Sequence, residues 1–189
     1  MSRMQSEKTV TAVPLDEGIQ LLSSLSKEEL IAIIVDDAKN WLAHDGLWFQ
    51  AVEKVHGMEA AIDADREAWR SFTVIEAKRI MARIGLEPGG GIPALVECLK
   101  YRFYARVNLQ ECLEVTDNRA LFRMVDCRVQ SARKRKGLAD FPCKSVGVVE
   151  YADFARTVDP RIETRCIACP PDSHPEEYWC AWEFTLAAD

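Results

Sequence analysis

Three of the seven cysteines fall within fifteen residues near the C-terminus. Cys166 and Cys169 form a C-x2-C pair, and Cys180 follows after ten intervening residues. Two thiolates on one tight turn reach a single ion at Zn–S distances of about 2.3 Å, and Pro170-Pro171 stiffens that turn. A tetrahedral site needs a fourth ligand. Cys143 is favoured because it follows Pro142 at an expected helix N-terminus, where the positive end of the dipole stabilises a thiolate. His174 and Cys127 stay open as replacements, whereas Cys98 falls mid-helix and Cys112 on the exposed side of a strand, so both read as structural. The expected ligand set is Cys143, Cys166, Cys169 and Cys180 around one zinc, with iron as the alternative metal for a thiolate site. Four thiolates leave no open coordination position, so this zinc is expected to be structural and to lie outside any ligand pocket.

A second constellation lies on two long helical stretches. Trp41, His44 and Trp48 stand at i, i+3 and i+7, so one stripe carries an imidazole between two indoles, with Asp37 a turn before it and Asp45 beside it. Trp69, Phe72, Glu76 and Ile80 follow the same rhythm further on. The expected pocket is lined by Trp41, His44, Trp48, Trp69 and Phe72, with Glu76 at its edge, and suits a small organic molecule. The alternative is a hydrolase-type enzyme in which His44 works with Glu76 or Asp45 as acid and base. Against both stands a structural histidine bonded to a neighbouring carboxylate. Glu76, on a mostly apolar side, needs a partner such as Arg79, His44 or Arg83.

The elements that must position these residues change period along the chain. Residues 1–25 read as a polar lead-in, and 26–189 as one domain. Ser26-Lys27-Glu28-Glu29 is a capping-box signature opening a helix that Asp45-Gly46 is expected to kink and Gly57 to end. A second helix covers about 58–84, stopped by Gly85; the break Pro88-Gly89-Gly90-Gly91 precedes a third over about 92–104. Alternation of period two then marks strands near 107–115 and 120–124, a basic segment closes that unit, and a fourth helix covers about 143–156. Two strands, 161–167 and 178–186, end the chain. Helices first and strands later give an α+β fold: N-terminal helices packed on an antiparallel sheet, with a zinc-stapled C-terminal hairpin.

The spacing Cys143, Cys166, Cys169 and Cys180 with Trp182 resembles the 4-vinyl reductase family, and more closely the zinc site in the phenol-sensing domains of bacterial transcription activators. There the second of the four positions is acidic, whereas here it is Cys166, and the last gap is longer. The resemblance spans about residues 90–186 in element order and implies an α+β ligand-binding fold. The stretches WLAHDGLWF, RVQSARKRKG and CIACPPDSHP are also similar to an uncharacterised group of prokaryotic cytosolic proteins, distantly like amino-thiazoline-carboxylate hydrolases. Neither likeness fixes an activity.

Composition narrows the partners. The 189 residues carry 24 Lys+Arg against 30 Asp+Glu, a net charge of −6, which argues against nucleic acid as the main partner. Arg133-Lys134-Arg135-Lys136 lacks the interleaved aromatics that stack bases and reads as a solvated turn. The longest apolar run, 30–35, has six residues, far short of the ~20 that span a bilayer. MSRMQSEKTV has no apolar leader core, so a cytoplasmic protein with reduced thiols is expected. The surplus apolar width of the first helix, from Trp41 and Leu42 to Leu47, Trp48 and Phe49, leads us to expect a homodimer through the N-terminal helices.

Overall fold

The computed structural model describes residues 15–187. The leader stretch discussed above and most of the expected lead-in therefore lie outside the described residues. The chain divides into two compact units, Met1–Asp37 and Ala38–Asp189. In the first, α1 (Leu15–Ser23) precedes the start of α2 (Lys27–His56). The capping box forms as its residue types dictate: the Ser26 N–H donates to Glu29 Oε2 at 2.8 Å, and the Glu29 N–H to Ser26 Oγ at 3.2 Å.

The second unit holds the rest of α2, then α3 (Met58–Ile84), α4 (Gly91–Tyr101), a short 3-10 turn at Phe103–Arg106, α5 (Arg128–Arg135) and α6 (Lys144–Val158). Strands β1 (Leu109–Leu113), β2 (Arg119–Asp126), β3 (Ile162–Ala168) and β4 (Cys180–Leu186) form one antiparallel sheet in the order β1-β2-β4-β3. The α+β expectation is met. α2 continues through Asp45-Gly46, where the Gln50 side-chain amide donates to Gly46 O at 3.0 Å. One local expectation is not met. The basic segment is α5, not an open turn, because buried Gln130 clamps it through two hydrogen bonds to the Phe141 backbone, 2.8 and 2.9 Å long.

Burial follows the two periodicities. Alternate residues Ala120, Phe122 and Met124 of β2, with Trp182 and Phe184 of β4, turn inward against Leu95 and Leu99 of α4 and Phe154 and Val158 of α6. α3 packs along the other side of α6. Gly147 permits the closest approach in this core, since a Cβ there would lie 2.7 Å from the Trp182 ring. Asp159 ties the layers together: its Oδ2 accepts the Gly91 N–H at the start of α4 at 2.9 Å and pairs with Arg161 at 2.8 Å. Those bonds hold the Asp159 carboxyl at about 2, the Arg161 hydrogen bond being the largest cause. Among the described residues no helix is long and apolar enough to cross a membrane.

Candidate functional site

The second unit holds a half-open cavity of about 420 Å³, within the 300–1,000 Å³ range of small-molecule sites. Its apolar lining comes from Leu42 and Phe49 of α2, Trp69 of α3, Phe141, Val146 and Trp182. α2 supplies that wall through Leu42, Asp45 and Phe49, a stripe at i, i+3 and i+7 in which Leu42 is buried and Phe49 half-buried. Tyr104 and Tyr151 also line the cavity, and Tyr104 stacks on Trp69 with centroids 5.6 Å apart.

Its polar groups are mainly acidic on the side of α2, α3 and α6. Asp45, Asp65 and Glu150 come from those three helices in turn. Burial pushes the Asp65 carboxyl up to about 7, helped by the negative charges of Asp45 and Glu150 and opposed by a hydrogen bond from Trp69. Desolvation likewise raises Asp45. Glu150 is raised by burial and pulled back by Arg102. Arg102, 2% exposed, is the organising cation: its Nε donates to Glu76 Oε2 at 2.8 Å, its Nη2 lies 2.7 Å from Glu150 Oε1, and its guanidinium sits 4.8 Å from the Phe154 ring centre. A buried charge is tolerated only when paired in this way.

Thiols form another part of the same wall. Cys127, Cys143, Cys169 and Cys180 all line the cavity, whereas Cys166 sits on β3 opposite Trp182. Cys143 and Cys169 have their sulfurs 3.6 Å apart, and Cys169 also bonds to Cys180. Two thiolates on one tetrahedral zinc stand about 3.8 Å apart for Zn–S bonds of about 2.3 Å, so this sulfur pair fits a shared ion. Among the described residues, however, no group of three or more His, Cys, Asp or Glu side chains is set to hold a metal. His174 instead places Nδ1 2.9 Å from Pro175 O and packs on Trp179. Burial pushes the Cys127 thiol up to about 12 and the Cys166 thiol up to about 11. Thiols that keep their protons at neutral pH are not poised as nucleophiles. The expected separation of cysteine cluster and pocket does not hold, because α6 begins at Cys143 against both.

The residues expected to form the pocket part company. Trp69 is buried and lines the cavity; Phe72 and Trp41 join it in an aromatic cluster, with Trp41 and Phe72 stacked at 5.2 Å. His44 and Trp48 are exposed, Trp48 by 59%. Their stripe is one residue, or about 100°, away from the inward stripe of α2. Glu76 is buried, but both of its oxygens are committed, to Arg102 and to the Phe103 N–H at 3.2 Å. The arrangement thus gives Glu76 a structural partner, and exposed His44 is not that partner. Sequence reasoning missed Arg102, Asp65, Glu150, Tyr104 and Tyr151. Glu150 was detectable as the carboxylate that follows the apolar run VGVV and precedes Tyr151, and Asp65 as the acid one turn before Trp69.

The fold is similar to the crystal structure of the phenol-responsive sensory domain of the transcription activator PoxR with phenol. That likeness has a TM-score of 0.51 at 16% identity and covers 93% of this chain and 92% of that one. The sequence reading expected this kind of sensory fold. No curated protein matches the chain. Residues 23–186, which carry the whole cavity and every cysteine discussed above, match a family of unknown function, DUF6125, and the chain belongs to that family.

Proposed function

We propose that this chain is a zinc-stabilised, sensor-like domain of the cytoplasm that binds a small organic molecule in a mostly apolar pocket. The observation that carries the reading is the half-open cavity of about 420 Å³, walled by aromatic rings and a few convergent polar groups. Support comes from the fold shared with a phenol-responsive sensory domain. Zinc would be held by Cys143, Cys169 and Cys180, with Cys166 as the fourth thiolate; the 3.6 Å sulfur pair is the supporting geometry. Bound there, it supplies structure and no chemistry, tying the start of α6 to the β3–β4 hairpin. Exposed apolar side chains on α2, Leu47 at 65% and Trp48 at 59%, support a homodimer.

Calorimetric titration with a panel of small aromatic compounds tests the reading. At least one compound should bind saturably at one per chain, and Ala132→Trp, placed in the cavity wall, should abolish it. Binding that survives the plug, or no saturable binding across the panel, refutes the pocket. One equivalent of zinc by elemental analysis and a dimer mass by light scattering are the expected companion results; a metal-free monomer removes both parts.

A further inference from the structure

Three carboxylates from three different helices line one cavity, and the cation beside one of them, Glu150, is already shared. Arg102 divides its charge between Glu76 and Glu150. Glu150 is more than nine-tenths buried, and its Oε1, although 2.7 Å from Arg102 Nη2, has no partner at a hydrogen-bonding angle. Asp65 receives a bond from Trp69 and faces Asp45 and Glu150, both negative. Across the cavity lining, α5 contributes basic groups, of which Arg133 is held by Glu53 at 3.5 Å and by Ala139 O at 2.8 Å, and Lys136 by Gln50 at 3.3 Å. Arg128 and Arg135 are exposed.

From this arrangement we propose that the cavity takes an organic cation: a protonated primary amine on an aromatic or apolar body, its ammonium seated among Asp45, Asp65 and Glu150. The inference rests on the small-molecule reading above and names the class of ligand. An ammonium offers three donors and no acceptor, which matches three acceptor-only carboxylates. Carboxylates removed from water without a counter-charge are costly, so a cation entering this wall relieves a penalty that a neutral molecule leaves in place. The rings suit the same charge. Trp69, Tyr104 and Tyr151 already surround the Arg102 guanidinium at 5.5–5.8 Å, within the range in which an aromatic face attracts a cation. A carboxylate ligand would meet like charge at this wall.

The pH dependence follows from the groups facing Asp65. On α2 these are Asp45, with exposed His44 next to it; on α6, Glu150; beyond them lie Arg102, Tyr104 and Tyr151, with the α5 bases on the remaining side. Asp65 loses its proton near pH 7, so its own negative charge is present in the wall above that pH, while an alkylammonium stays charged.

The test compares 2-phenylethylamine, its uncharged counterpart 2-phenylethanol and the acid 3-phenylpropanoate by calorimetry at pH 6 and pH 8. At pH 8 the amine should bind tighter than the alcohol by about tenfold or more, the worth of a hydrogen bond to a charged group, and the acid should bind weakest. The margin should shrink at pH 6. Asp65→Asn and Asp45→Asn should each erase most of that margin between amine and alcohol; both are near-isosteric, and melting curves at pH 6 check that they fold. Equal binding of amine and alcohol, tighter binding of the acid, or silence from the amine overturns the cation. A neutral compound still blocked by Ala132→Trp then keeps the small-molecule reading, whereas loss of all plug-sensitive binding overturns both.

Discussion

Asp65→Asn should make the protein more stable at pH 8 and leave it nearly unchanged at pH 4. The Asp65 carboxyl is held at about 7 against an ordinary 3.8, chiefly because its charged form is desolvated on α3 beside Asp45 and Glu150. A group whose folded value is raised opposes folding when ionised. Its penalty is absent below the unfolded value, grows from about pH 4, and is complete above about pH 7. At 1.36 kcal/mol per pH unit the full interval corresponds to about 4 kcal/mol. Because the side chain is only half-buried, solvent screening reduces the expected gain to about 2 kcal/mol. Asparagine removes the charge yet keeps an oxygen for the Trp69 N–H. Denaturant unfolding of both proteins at pH 4, 6 and 8 gives the comparison directly. A gap that opens with rising pH supports the argument. A pH-independent gap, or an asparagine variant less stable at pH 8, means that Asp65 is held as a favourable carboxylate and refutes it.

Arg102→Met should cost about 3–5 kcal/mol near pH 7 by denaturant unfolding, since Glu76 and Glu150 would stay buried without their cation. Gly147→Ala should destabilise by about 1 kcal/mol, because overpacking against Trp182 outweighs the gain in helix propensity. The paired change Gly46→Ala, with nothing within 4 Å of the new Cβ, should instead stabilise by about 0.5–1 kcal/mol. His44→Ala should shift unfolding by less than about 0.5 kcal/mol and leave ligand titrations unchanged, as expected for an exposed side chain away from the cavity.

What the sequence disclosed was mostly local. Ser26 and Glu29 announce a helix start through four consecutive residues, Gly85 adopts the left-handed conformation that ends α3, and the alternation Ala120, Phe122, Met124 names the inward face of β2. The stripe on α2 shows where such reasoning fails. Both Trp41-His44-Trp48 and Leu42-Asp45-Phe49 have helical spacing, and only packing against α3 and the elements beyond it decides which one turns inward. The Arg102–Glu76 bond joins residues twenty-six positions apart, one on α3 and the other in the connection after α4, so no helical periodicity encodes it. For Glu76 the need for a cation was legible, but its identity was not. α5 was hidden for a related reason: Gln130 stabilises a short and very polar helix through the distant backbone of Phe141.

Placing the thiols in the cavity wall changes how stability and binding relate in this fold. Cys143 stands at the start of α6, Glu150 two turns along the same helix, and Tyr151 beside it, so one rigid element joins the sulfur cluster to the acidic wall. Gly147 lies between them and lets Trp182 press against α6 from the sheet. A displacement at the N-terminus of α6 therefore moves Glu150 relative to Asp65 on α3, while the buried Arg102 pair resists that movement. In such a wall the thiol cluster is more than a remote staple. Under the proposed binding mode, a ligand that bridges Glu150 to the carboxylates of α2 and α3 would pull on the same helix that Cys143 begins.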